Sequence, residues 1–387
     1  MAAKVTGIQT SVLKWARESQ GYSIEDVASK LKRDPAEVRA WETGDQSPTY
    51  VQLETLAYKI YKRPLAVFFL PEPPPEPEPE REFRTLPEFD LESLTADTRY
   101  QIRFAHSLQL SLRELLEGGN PARQIIFRDI QLTLRSNIAE SAESVRAYLG
   151  ITIDEQQGWR SADTALKAWR NAIEEVGVFV FKHAFKEKQI SGFCLIDAEF
   201  PIIYLNNSTT KTRQIFGLFH ELAHLLFRIN GISKFDPSYI RELHPPERHI
   251  EQFCNAFAAE LLLPSADFDR QLRGIGIDET SVERLANRYC VSREAVLRRL
   301  LDKRLVSQEL YEKKAAEWAA QAEQRDDDGG NYYATQAAYL GEHYLRLVLG
   351  KHYQGRISLE QVAEYLGVKP KNVPGLEEFA FQGATPA

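Results

Sequence analysis

Cysteine and long apolar runs are both scarce in this chain, and each scarcity excludes a class of protein. The 387 residues include three cysteines, Cys194, Cys254 and Cys290, without C-x-x-C spacing. That pattern is typical of reduced structural thiols and excludes a disulfide framework or a cysteine cluster around a metal. No apolar run approaches the length of a membrane-spanning helix, and the first residues lack a signal-peptide pattern. We therefore expect a cytoplasmic protein.

An excess of positive charge is also missing. The formal net charge is −7, which argues against a protein that coats nucleic acid indiscriminately. Hydrophobic residues make up 43% of the chain and charged residues 27%, an ordinary composition for a globular protein. The length is sufficient for two or three domains, each with its own core.

The sharpest chemical signal is H-E-x-x-H, at residues 220–224. Apolar residues at intervals of three and four predict an amphipathic helix here, and they are Ile215, Leu218, Phe219, Leu222, Leu225 and Leu226. His220 and His224 then share one face, where two imidazoles can converge on one Zn2+. Glu221 can serve as the general base for the attacking water, and Gly217, one turn earlier, keeps that face open. The alternative interpretation is a pair of structural histidines on a core helix.

A third protein ligand is needed to complete such a site. The long pattern H-E-x-x-H-x-x-G-x-x-H is excluded, because Phe227 and Asn230 stand where it requires Gly and His. A second amphipathic helix is predicted from Glu251 to Pro264, with Glu251 and Asn255 on one face. A glutamate there would complete a His2Glu zinc site with an open fourth position. The alternatives are Glu247, Glu260, His244 and His249, each of which is also interpretable as a solvated side chain.

These two motifs carry a family resemblance. H-E-L-A-H followed by E-Q-F-C-N-A-F-A-A-E-L-L-L-P resembles the ImmA/IrrE family of zinc metallopeptidases. The resemblance implies a compact gluzincin fold, with Zn2+ (Mn2+ is the alternative) held by His220, His224 and Glu251 and with Glu221 as the catalytic glutamate. It also implies a substrate class, because characterised members cleave a DNA-bound repressor after stress or signalling.

Three further residues are candidates for roles around the metal. We expect Asn255 to orient either Glu251 or the substrate strand from a position just behind the ligands. Residues 231–246 are predicted to form a loop between the two metal helices. Tyr239 and His244 in that loop are both candidates to stabilise the oxyanion of the tetrahedral intermediate.

A short sheet is predicted immediately before the metal helix. Residues 178–181 form one strand, and residues 192–196 and 201–205 form a hairpin. The second hairpin strand leads into the metal helix, so we expect it to offer a free edge on which an extended substrate adds as a further strand. The substrate-binding residues would be Ile202, Ile203, Tyr204 and Leu205. The alternative is a plain structural edge strand.

The first part of the chain predicts a bundle of short helices. Ser23 with Asp26 forms a capping box, and Asp34 followed by Pro35 opens another helix, which ends near Gly44. The spacing of S-x-x-x-V-A-x-x-L, V-x-x-W-E-x-G and P-T over residues 9–65 resembles the helix-turn-helix of Xre/Cro-type regulators.

The DNA-binding chemistry of this helical part is weaker than its fold signal. Ile24 stands where that family typically has a glutamine that contacts DNA, and the presumed recognition helix carries Asp34, Glu37 and Glu42 against a single Arg39. Together with Lys32 and Arg33, Arg39 is the candidate DNA contact. The alternative is a module that docks a partner protein or dimerises.

The sequence thus predicts an α+β protein. A helix-turn-helix domain (1–70) is followed by a proline- and glutamate-rich linker of semi-rigid spacer type (71–92), a helical connector (93–160), a gluzincin-like peptidase core (161–310) and a helical C-terminal region (311–387).

The predicted function is a regulatory zinc endopeptidase that cleaves a partner protein, by resemblance a repressor. The alternative is a DNA-binding regulator or antitoxin-like repressor whose peptidase half is a scaffold or sensor. A dimer is one of the oligomeric states left open.

Overall fold

The computed structural model describes residues 4–83, 85–87, 90–91, 93–187, 189–234, 236–323 and 331–381. The chain divides into two compact units, Met1–Phe104 and Ala105–Ala387. The boundaries proposed for the linker, the connector and the C-terminal region stay predictions, and parts of residues 71–92 and 311–387 lie outside the described residues. No helix in the described ranges combines the length and apolar character needed to cross a bilayer.

The first unit is helical, as its capping signals predict. Its elements are α1 (Thr10–Glu18), α2 (Ile24–Leu31), α3 (Pro35–Thr43), α4 (Tyr50–Glu54), a π-helical turn (Thr55–Ile60), a 3-10 turn (Leu65–Phe69) and α5 (Pro79–Glu82). Ser23 and Asp26 form the predicted capping box, and Asp34 accepts a hydrogen bond from the Ala36 N–H at the start of α3. Gly44 ends α3 in the left-handed region at φ 87°, which a residue with a side chain rarely adopts. Val12, Leu53 and Phe68 are fully buried in the core that these helices enclose.

One glutamate of the proline-rich stretch is bonded to this helical unit. Both carboxylate oxygens of Glu76 accept hydrogen bonds from the guanidinium of Arg63, at 2.5 and 2.8 Å. Arg63 is buried, donates also to Ser19 Oγ and lies over the Trp15 ring, 3.8 Å from its centroid. The beginning of the stretch is therefore held at a defined place on the first unit.

The second unit combines helices with one small sheet, which confirms the α+β prediction. After α6 (Ala96–Leu115), its helices before the sheet are α7 (Ile126–Asp129), α8 (Ile138–Tyr148), α9 (Ile153–Gly158) and α10 (Ala162–Glu175). The strands are β1 (Phe179–His183), β2 (Ile190–Leu195), β3 (Ile202–Asn206) and β4 (Gly231–Lys234).

Between β3 and β4 runs α11 (Lys211–Phe227), and a 3-10 turn (Pro237–Glu242) leads from β4 to α12 (Pro245–Leu262). The remaining helices are α13 (Ser265–Leu272), α14 (Glu279–Tyr289), α15 (Arg293–Asp302), α16 (Gln308–Glu323), α17 (Tyr332–Leu340), α18 (Glu342–Tyr353), α19 (Leu359–Tyr365) and α20 (Val373–Phe381).

The strand order is β1-β3-β2-β4. β2 and β3 form the predicted antiparallel hairpin, β1 pairs with β3 in parallel, and β4 pairs with β2 antiparallel. Side chains on one sheet face, such as Cys194 and Ile203, join the core against α11. On the other face, the ring of Phe181 meets that of Tyr344 from α18 edge-on, at 5.2 Å.

The prediction that β3 offers a free edge to substrate is wrong. Tyr204 pairs with Phe181 of β1 on one side and with Phe193 of β2 on the other, so the backbone of β3 is used twice. All five residues of β3, including Ile202, Ile203 and Leu205, are buried. A strand that pairs on both sides cannot accept another chain by main-chain hydrogen bonding, so these residues do not form the predicted substrate strand. The predicted loop 231–246 also contains β4, the edge strand next to β2.

Candidate metal centre

The centre is built on α11, which is buried along most of its length. Thr210 caps its first turn by accepting from the Arg213 N–H, and Arg228 ends it in the left-handed region. The helix lies between the sheet and α10, where Phe219 meets the Trp169 ring edge-on at 4.8 Å. This packing fixes the rotation of α11, so His220 and His224 point toward α12.

Three ligand-type side chains converge there. The Nε2 atoms of His220 and His224 are 3.0 Å apart, and Glu251 of α12 places Oε2 3.3 Å from the first and Oε1 3.1 Å from the second. All three residues are buried, with His220 4% exposed and the other two fully enclosed. Within the described residues, no other trio of His, Cys, Asp or Glu side chains converges in this way.

The remaining ring nitrogens have their own partners. Nδ1 of His220 lies 3.0 Å from Oδ1 of Asn255, and Nδ1 of His224 lies 3.7 Å from Sγ of Cys254. An Nδ1–H that donates to Asn255 leaves Nε2 of His220 with a lone pair for a metal. Asn255 therefore lies behind the site as expected. The partner differs from the prediction, however, because Asn255 contacts the imidazole of His220.

The separations are close to those expected of ligand atoms around one zinc ion. Ligand atoms at about 2.0–2.1 Å from zinc in tetrahedral directions lie about 3.3 Å from one another. The observed separations between the two Nε2 atoms and the carboxylate oxygens are 3.0 to 3.3 Å. Two imidazole lone pairs facing each other at 3.0 Å repel unless a cation or proton lies between them. These residues therefore suit a divalent metal with nitrogen and oxygen ligands.

The electrostatics agree with that donor set. Burial alone would raise the pKa of the Glu251 carboxyl, but His224 and His220 beside it outweigh burial and hold the pKa at about 2. Burial would likewise lower the pKa of His220, yet the neighbouring Glu251 raises it above its ordinary value. Glu251 therefore stays ionised at neutral pH, as a metal ligand must.

Glu221, the residue after the first histidine, is fully buried. Its Oε1 accepts a hydrogen bond of 2.7 Å from the hydroxyl of Ser233 on β4. Its Oε2 has no hydrogen-bond partner in the described part of the chain. A Cβ atom at Gly231 would lie 3.1 Å from that oxygen and 2.6 Å from the ring of His224. Only a glycine lets β4 approach the site so closely.

The two oxyanion candidates have different environments. The Tyr239 hydroxyl is buried and donates to Glu251 Oε2 at 2.9 Å. Burial and the nearby Glu251 raise the pKa of Tyr239 well above its ordinary value, so the phenol keeps its proton at neutral pH. His244 is the exposed N-cap residue of α12 and is not among the converging groups.

The other residues considered as the third metal ligand lie outside the converging trio. Glu260 accepts from the backbone and hydroxyl of Ser265 and from Arg299. His249 is exposed, and Glu247 lies in the first turn of α12, outside the converging trio.

Comparison with known families gives one match for the part of the chain that holds the candidate metal centre and one for the helical N-terminal part. Residues 173–301 match the model of the IrrE N-terminal-like domain, a peptidase family, and residues 13–57 match the model of helix-turn-helix domains. The chain carries an IrrE-like peptidase domain and a helix-turn-helix domain. The resemblance inferred from the two motifs is thereby confirmed.

A curated relative is similar to part of this chain. The radiation response metalloprotease IrrE of Deinococcus deserti is 32% identical over 113 residues, which is 28% of this chain. The chain matches 38% of the length of that relative.

The candidate DNA contacts lie on the outside of the helix-turn-helix domain. Lys32, Arg33 and Arg39 are exposed, with Arg33 3.9 Å from Glu37 and Arg39 3.8 Å from Glu25. Glu42 is turned inward and receives two hydrogen bonds from Arg17, at 2.7 and 2.9 Å. The outer face of α3 is therefore less acidic than the sequence alone indicates.

Sequence reasoning missed the contribution of β4. Ser233 and Gly231 approach Glu221 and His224 from a strand of four residues, which is too short for an alternating pattern to be recognised. Cys254 was interpreted as a structural thiol without a link to His224. No signal in the sequence connects these residues with the histidines before the chain is folded.

Proposed function

We propose that the IrrE-like domain hydrolyses a peptide bond in a partner protein, with Zn2+ (or Mn2+) held by His220, His224 and Glu251. The observation that carries the proposal is the convergence of these buried ligand atoms beside Glu221, which is itself buried and has one free carboxylate oxygen. Two ring nitrogens 3.0 Å apart, each with a carboxylate oxygen of Glu251 within 3.3 Å, form a cluster that a bound cation would stabilise.

The residues have distinct roles in this reaction. When bound, the metal supplies Lewis-acid polarisation of the scissile carbonyl and of the attacking water. Glu221 accepts the proton of that water on Oε2 and later delivers it to the leaving amine. Asn255 holds the ring of His220 in the tautomer that offers Nε2 to the metal.

Tyr239 is the better supported oxyanion stabiliser. It is a buried, protonated donor within 2.9 Å of a metal-ligand oxygen, whereas His244 is exposed. To donate to an oxyanion, the phenol must exchange its hydrogen bond with Glu251 for one with substrate.

The substrate class rests on the family likeness. ImmA/IrrE-type peptidases act on repressors, and this chain carries its own helix-turn-helix domain at residues 13–57. A transcriptional repressor or related regulator is therefore the proposed substrate, cleaved during a stress response.

Metal analysis of the purified chain tests the proposal. We expect about one zinc or manganese per chain, lost in His220→Ala and retained in Glu221→Gln. The Glu221→Gln chain should fail to cleave a transcriptional repressor that the original chain cleaves. His249→Ala is the matched control, because His249 is exposed on α12 and should leave metal content and cleavage unchanged. A crystal grown with zinc that shows no metal density at His220 would contradict the proposal.

A second candidate function is transcriptional regulation through DNA, including antitoxin-like repression of its own operon. The helix-turn-helix match favours this second function. Two exposed arginines also favour it, Arg33 just before α3 and Arg39 on α3. Affinity for operator DNA should fall steeply with salt, and Arg39→Ala should weaken it and reduce the salt slope by about one. Lys14→Ala removes the same charge from an exposed position on α1 and serves as control. Absence of binding at low salt would identify the domain as a protein-docking module.

A further inference from the structure

We infer that Ser233 is a positioning residue for Glu221: its hydroxyl holds one carboxylate oxygen so that the other faces the reacting groups. The inference rests on the proposed function, in which Glu221 is the general base. It assigns a role to β4, the strand that neither sequence motif includes.

The contact is short and enclosed. Ser233 Oγ lies 2.7 Å from Glu221 Oε1, and the two side chains belong to residues that are 4% and 0% exposed. A hydrogen bond whose acceptor is an ionised carboxylate is stronger than one between two neutral groups, and burial strengthens it further. Because Oε1 is occupied, Oε2 is the oxygen available to accept a proton.

The hydroxyl is held on a rigid part of the sheet. Ser233 lies on β4, which pairs with β2, and its backbone partner there is Gly192. Two residues earlier, the Gly231 N–H donates to Cys194 Sγ at 3.3 Å. A donor fixed by strand pairing can hold Glu221 in one rotamer without losing much side-chain entropy.

The second carboxylate oxygen of Glu221 is close to His224, because a Cβ atom at Gly231 would lie within 3.1 Å of both. The contact uses only one of two buried carboxylate oxygens and leaves the other without a partner in the described residues. Buried Glu174 also has one paired and one unpaired oxygen, and the position of Oε2 beside His224 is what distinguishes Glu221. One oxygen held and one left free is the arrangement that a directional base requires.

The experiment compares Ser233→Ala with Ser233→Thr, which keeps the hydroxyl, and with Ser191→Ala as matched control. Ser191 lies on the neighbouring strand, and its hydroxyl donates to the backbone carbonyl of Ser233 and not to the Ser233 hydroxyl. The probe is acetohydroxamate, a zinc chelator whose hydroxyl proton is taken up by a nearby base. Its dissociation constant for the zinc-loaded full chain is measured by calorimetry, with zinc content and apo-protein unfolding measured for each variant.

We expect Ser233→Ala to bind acetohydroxamate about tenfold more weakly, which is about 1.4 kcal/mol, at unchanged zinc content. Ser233→Thr and Ser191→Ala should stay within about twofold of the original chain. If Ser233→Thr fails to fold, the comparison of Ser233→Ala with Ser191→Ala tests the inference without it.

Two failures are distinguishable. If Glu221→Gln binds the probe weakly but Ser233→Ala binds it as the original chain does, Ser233 has no positioning role, whatever its effect on unfolding. If Glu221→Gln and the original chain bind the probe equally well, Glu221 accepts no proton here, and the proposed function falls together with the inference.

Discussion

Gly231 carries the strictest steric demand of any single residue at the candidate centre. A methyl group there would meet the His224 ring at 2.6 and 2.7 Å, well inside normal contact distance. His224 cannot move away without leaving the other ligand atoms. We therefore expect Gly231→Ala to weaken zinc binding by about tenfold or more, measured by competition with a chromogenic chelator.

Gly217 on α11 provides the matched control. A methyl group at Gly217 would meet Leu205 at 3.6 Å, an ordinary contact, so this glycine is not needed to keep the helix face open as the sequence indicated. Gly217→Ala should leave zinc affinity unchanged and stabilise the helix by up to about 1 kcal/mol. Equal zinc affinity of the two alanine variants would show that β4 does not constrain the site.

At the scale of elements, local signals predicted local structure well. The capping residues Ser23 and Asp34 and the hairpin of β2 and β3 all follow from patterns of a few neighbouring residues. The H-E-x-x-H helix belongs to the same group, because one helical turn alone brings its two histidines together.

Long-range pairing could not be predicted in the same way. β3 is interior because β1 pairs with it from more than twenty residues away, and no feature of β3 itself reveals that partner. For the same reason, the contact of Ser233 with Glu221 and that of Asn255 with His220 depend on how separate elements pack. The convergence of Glu251 on the histidines was inferred from family likeness, since four other residues were open by pattern alone.

The proline-rich stretch provides an element-scale prediction. Glu76→Gln removes the carboxylate that neutralises buried Arg63, while Glu72→Gln alters an exposed glutamate four residues earlier. Leaving a buried guanidinium without its partner should lower the unfolding free energy of the first unit by about 1–3 kcal/mol. Chemical denaturation followed by the fluorine NMR signal of 5-fluorotryptophan at Trp15, which lies under Arg63, measures the change.

The control variant Glu72→Gln should unfold as the original chain does. If both variants unfold alike, the contact between Glu76 and Arg63 contributes nothing to stability, and the stretch behaves as the free spacer that its composition indicates.

At the scale of the whole molecule, each unit has its own hydrophobic core, and only the second contains the candidate metal centre. A metal that binds the folded state alone stabilises it by mass action, by about 2.7 kcal/mol at one hundred times its dissociation constant. Chelation should therefore lower the unfolding temperature of the second unit, by about 5–10 °C, and leave the first unit nearly unchanged.

The five tryptophans allow both units to be followed in one sample. Trp15 and Trp41 lie in the first unit, and Trp159, Trp169 and Trp318 lie in the second. Trp169 is the most direct reporter, because its ring packs on Phe219 of the metal helix.

With 5-fluorotryptophan and fluorine NMR, a chelator should lower the melting temperature of the Trp169 signal while that of the Trp41 signal stays unchanged. In His220→Ala, the Trp169 signal should melt at the temperature seen for the chelated protein, and adding the chelator should not change that temperature. An equal shift of all five signals would instead mean that the two units unfold together in one cooperative transition.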